Sequence, residues 1–218
     1  MAARVDTDKG AHTAVSVRWW PATIAMVALA VAYAFVADQL RLGPPWWLLA
    51  LALATAVGAR VLRWRGRAKA TRWIAIGTLV AITVAITASA FSLVDGLLHH
   101  TADAGDLLRG GALVWVSNVL TFALWYWEVD AGGPSKRHAR HAGSTDFAFP
   151  QRVLAEREPL AWTPDFVDYL FLAFNTSTAF SPTDTMVLAR RAKVLMMYQS
   201  VVSLVTVAVL VARAINAL

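Results

Sequence analysis

Between Leu172 and Lys193 the chain reads LAFNTSTAFSPTDTMVLARRAK, and Asn175, Thr176, Ser177, Thr178 and Ser181 gather hydroxyl and amide groups around Phe180. Such groups suit one of two tasks in an apolar setting. They line a water-facing path for an inorganic ion or small solute, or they let helices approach closely and hydrogen-bond. Pro182 ends any helix that reaches it, because its nitrogen cannot donate and its ring clashes with the preceding turn. Thr183 or Asp184 then caps a new helix by accepting from its free N–H groups. Broken backbone at membrane depth is tolerated only when it is buried in protein or faces water. The segment is therefore a site or a packed corner. In the helix that follows, about 100° per residue puts Ala192, Gln199, Ser203, Thr206 and Arg213 on one face. This stripe lines the same path or forms a helix interface, with Arg213 reaching for the membrane surface.

Other chemistry-bearing groups are scattered. His99, His100, Asp103 and Asp106 are metal-ligand types, but in a loop their spacing is the kind that arises by chance, and no metal site is expected. His138 and His141 lie among Lys136, Arg137 and Arg140, where positive charge opposes a cation and suits anionic headgroups. Asp95 stands inside an apolar run, as a functional carboxylate or as an acid at the interface. Asn118 is expected to hydrogen-bond another helix. Glu128 and Asp130 mark the end of a span, and Asp165 and Asp168 the first turn of the next. No HExxH, GxSxG, GxGxxG or GxxxxGK[ST] pattern occurs, so neither catalysis nor a nucleotide-driven pump is expected, and no cofactor is implied. Without cysteine, disulfides and thiolate chemistry are excluded.

The elements that must position these residues are membrane helices. The chain is 58% hydrophobic and 16% charged, where a soluble domain carries roughly 25% charge. Apolar runs at 22–40, 45–62, 74–98 and 111–130 approach the ~20 residues that a bilayer requires. Two more follow, at 164–182 and 185–217. The expected fold is all-α: one polytopic transmembrane bundle of six hydrophobic segments, the penultimate re-entrant or broken. Arg60, Arg63, Arg65, Arg67, Lys69 and Arg72 crowd between the second and third spans without an acid among them. The positive-inside rule makes that loop cytoplasmic, with the 1–18 tail and the basic 131–163 loop on the same side of a plasma (inner) membrane. These cations meet anionic lipid headgroups, which explains the net charge of +6 better than nucleic acid does. If 164–184 crosses, six spans result and Arg190, Arg191 and Lys193 lie outside. If it enters and returns, those cations are cytoplasmic and five spans remain. Length favours the first course, charge the second.

A hydrophobic half-helix, a hydroxyl-rich turn closed by aspartate and a long apolar helix together resemble the pore module of tetrameric cation channels. STAFSPTD, Ser177 to Asp184, stands where that family has its TTVGYGD-type filter. The filter glycines are absent, so potassium selectivity is not implied. Over more of the chain, DFAFPQ, DYLFLAF, SPTDT and the paired arginines resemble a family of uncharacterised bacterial integral membrane proteins. That resemblance implies no activity. The expected function is an ion channel or small-solute permeation protein, working as a homo-oligomer. The alternative is a non-transporting scaffold that binds lipids or partners.

Overall fold

The computed structural model describes residues 20–99, 101–137, 145–151, 162–178 and 184–216. It is an all-α bundle. Its helices are α1 (Trp20–Ala34), α2 (Trp47–Trp64), α3 (Ala68–His99), α4 (Ala104–Val129), the short α5 (Pro134–Arg137), α6 (Phe166–Thr178) and α7 (Arg190–Asn216). Among the described residues four helices, α2, α3, α4 and α7, are long and apolar enough to cross a membrane, and α1 is a shorter apolar helix. The chain is a membrane protein.

Local sequence explains the turns. Gly66 ends α2 at φ +68°, with its N–H on Arg63 O at 3.0 Å and the Arg67 N–H on Leu62 O at 2.9 Å. This is the Schellman arrangement, which needs a residue free of a Cβ penalty at that position. The α1–α2 connection is fastened by Tyr33, whose hydroxyl donates to Leu42 O at 3.2 Å and accepts from Leu42 N at 2.8 Å. Asp165 and Asp168 open α6 as a reciprocal cap. The Asp165 carboxylate accepts from Val167 N at 2.8 Å, and the Asp168 carboxylate from Asp165 N at 2.7 Å.

α4 is the centre of the bundle and packs against α1, α3, α6 and α7. Arg72 at the start of α3 sits 3.9 Å from Glu128 near the end of α4, so these helices run antiparallel. At the opposite end, a Cβ on Gly96 would lie 3.3 Å from Leu107, and one on Gly111 would strike Leu210 at 2.6 Å. Glycine there lets the helices close up. The outer surface is apolar where lipid would touch it, as at Leu53, Val57, Phe91, Leu204 and Val211.

α6 departs from this pattern. Its 13 residues reach about 20 Å, short of the ~30 Å hydrocarbon core. α6 and α7 lie side by side and point the same way, because Ala173 meets Gln199 and Ser177 meets Ser203. Antiparallel β1 (Phe147–Ala148) and β2 (Met186–Val187) pair Phe147 with Val187 and Ala148 with Met186. The chain therefore enters along α6, is back beside the α4 C-terminus by Met186, and crosses only afterwards along α7. Arg190, Arg191 and Lys193 therefore stand at the same basic end as Arg72 and Glu128.

Candidate functional site

The site is built around the inner end of α6. A helix that stops inside the membrane leaves its last carbonyls without water, and each must find a donor. α7 supplies two of them and reinforces the turn before. Gln199 Nε2 donates to Ala173 O at 2.8 Å and to Ser177 Oγ at 2.7 Å. Ser200 Oγ donates to Thr176 O at 3.4 Å, and Ser203 Oγ to Ser177 O at 2.6 Å. Thr178 Oγ1 donates to Asn175 O at 3.1 Å. α4 completes the network. The Tyr126 hydroxyl donates to Gln199 Oε1, Asn118 Nδ2 to Gln199 O at 3.3 Å, and Trp115 Nε1 to Ser203 Oγ at 3.0 Å. Gln199 has no exposed surface, and Ser203 almost none.

Of the α7 stripe, expected either to line a path or to form a helix interface, Gln199, Ser203 and Thr206 thus turn inward. Gln199 and Ser203 cap α6, and buried Thr206 donates to Val202 O in its own helix at 2.8 Å. The surface that α7 exposes is apolar instead, with Val201 and Leu204 outward. Of the hydroxyl run, Ser177 is buried, while Asn175, Thr176 and Thr178 are half-buried. Thr176 donates back to Leu172 O at 2.8 Å. Phe180 and Ser181 lie outside the described residues, and Asp184 is exposed where the chain re-emerges. Arg213 is half-buried near the far end of α7.

A second constellation, not foreseen from the sequence, fixes the entrance. Asp130 is fully buried and accepts from the Tyr169 hydroxyl at 2.5 Å, from Asp146 N at 2.8 Å and from Phe147 N at 3.4 Å. Arg137 Nε lies 3.4 Å from the same carboxylate. The Arg137 guanidinium sits 4.8 Å from the Trp127 ring centre and 4.6 Å from that of Tyr169, and donates to Trp127 O. It is buried, so it belongs to the protein interior and not to the lipid-facing patch expected of the 136–140 run. Asp146 holds Arg191 through two bonds of 2.7 and 2.6 Å and accepts from Ala131 N at 3.0 Å. That last bond secures Ala131 at φ +54°, an uncommon conformation for alanine. The cluster joins the end of α4, the 145–148 segment, α6 and the start of α7. Asp130 and Asp146 in a basic stretch were its only sequence signal, since their partners lie up to 45 positions away.

Elsewhere Arg60, Arg63, Arg65, Arg67 and Lys69 are exposed around the α2–α3 turn, and Arg60 lies 4.9 Å from the Trp64 ring centre. Arg72 is half-buried against Glu128. His99 and Asp95 pair at 3.5 Å on an exposed helix face. His100 lies outside the described residues, and among those described no group of three or more His, Asp or Glu is placed to hold a metal.

Fold and site together define an α-helical membrane bundle with a re-entrant half-helix capped from within. No family model matches the chain, and no curated protein or solved structure matches it.

Proposed function

We propose that this protein is a membrane permeation protein for an ion or small solute, with α6, the stretch from Thr178 to Asp184, and α7 as its conducting unit. The observation that supports this reading is the re-entrant course of α6 beside a parallel α7. A half-helix ending inside a membrane aims its partly negative C-terminus at the interior, which favours a cation. With Gln199, Ser200 and Ser203 engaged in internal capping, the proposed path runs past Thr178 and Asp184 and not along the α7 stripe. The arginine-rich end faces the cytoplasm, as does the N-terminus, and exposed Arg60, Arg63, Arg65, Arg67 and Lys69 contact anionic headgroups.

The burial of Ser177, Gln199 and Ser203 within one protomer favours a second reading, a non-transporting scaffold that binds lipids or partners. Flux of potassium, sodium, chloride and protons through proteoliposomes separates the two. The permeation reading predicts flux that Thr178→Val and Asp184→Asn reduce or alter in selectivity. Folded protein that moves none of the four ions, nor a neutral solute, leaves the scaffold.

A further inference from the structure

Asn175 is a polar group of α6 whose side chain is left unpaired among the described residues. Its backbone carbonyl accepts from Thr178 Oγ1, but among the described residues no hydrogen bond reaches its side-chain amide. The side chain is partly exposed. It edges an outward stripe of α6 formed by Val167 and Phe171, each 61% exposed, and Phe174, 47% exposed. Its depth follows from its neighbour Thr176, whose carbonyl meets Ser200. Ser200 lies roughly 15 Å along α7 from Arg190, near the middle of the hydrocarbon layer. Lipid is a poor neighbour for an amide at that depth, because transfer to an apolar medium without a hydrogen bond costs roughly 2–7 kcal/mol.

We propose that this face of α6 is where copies of the chain associate, with Asn175 of one copy hydrogen-bonded to Asn175 of the next. A primary amide carries both donor and acceptor, so identical side chains brought together by symmetry satisfy each other. A different partner would need its own polar group at the same depth. Phe171 and Phe174 supply flat, apolar contact around the pair. The association stands whether or not the assembly conducts, and its test involves no flux.

The absence of cysteine makes the test direct. Phe171→Cys and Phe174→Cys, with Leu53→Cys on the outer face of α2 as control, are oxidised in vesicles at low protein-to-lipid ratio. Disulfide-linked dimers are expected at 171 or 174 and not at 53. Asn175→Leu is expected to weaken self-association about three- to fifteenfold, measured in nanodiscs or vesicles, while Asn175→Gln retains most of it. Helical circular dichroism identifies variants that remain folded. The proposal is overturned by a monomer at every ratio, by cross-linking at 53 alone, or by Asn175→Leu associating as well as the wild type.

Discussion

Gln199 shows how one side chain makes a broken helix possible in a membrane. Its amide donates to Ala173 O and Ser177 Oγ while its carbonyl oxygen accepts from Tyr126, so both ends are used. Gln199→Leu strands those partners away from water, at about 1–3 kcal/mol for a buried group left unpaired. Thr206→Val removes only a bond within α7 and is expected to cost less than about 1 kcal/mol. Thermal unfolding of the two purified variants compares them, and equal losses would show that Gln199 is no cap. Sequence periodicity put Gln199, Ser203 and Thr206 on one face, but a stripe does not say what it faces. Asn118 was legible as a cross-helix donor because an amide in mid-span has few other uses.

Elements are joined by charge at the basic end. Asp130 is buried with Arg137, whereas the Arg191 side chain is 55% exposed even as it grips Asp146. Removing one member of a buried pair leaves the other uncompensated, so Asp130→Leu is expected to cost about 3–5 kcal/mol. Solvent already screens Arg191, and Arg191→Gln is expected to cost about 1 kcal/mol or less. Thermal denaturation ranks them, and the reverse order would contradict this account of the cluster. Little of this could be read beforehand. Apolar runs announced α2, α3, α4 and α7, but Pro182 lies outside the described residues, and the last helix starts at Arg190 and is not capped by Thr183 or Asp184. The fold brings Asp146 to Arg191 only because α6 returns, and no local pattern encodes that pairing.

For the molecule as a whole, both constellations have one consequence: the chain dips in along α6 and re-emerges where it entered. Length alone favoured a crossing, since 164–184 would reach roughly 30 Å if helical throughout, but helical structure is described only to Thr178. The charge of Arg190, Arg191 and Lys193 pointed to the return. One labelling experiment decides between the courses. Lys69→Cys, Leu188→Cys and Asp103→Cys, each introduced into the cysteine-free chain, are exposed to a membrane-impermeant maleimide in sealed vesicles of uniform orientation. The re-entrant fold predicts that positions 188 and 69 react from one side and position 103 from the other. Labelling of position 188 from the same side as 103 would mean that the segment crosses, contradicting the re-entrant account.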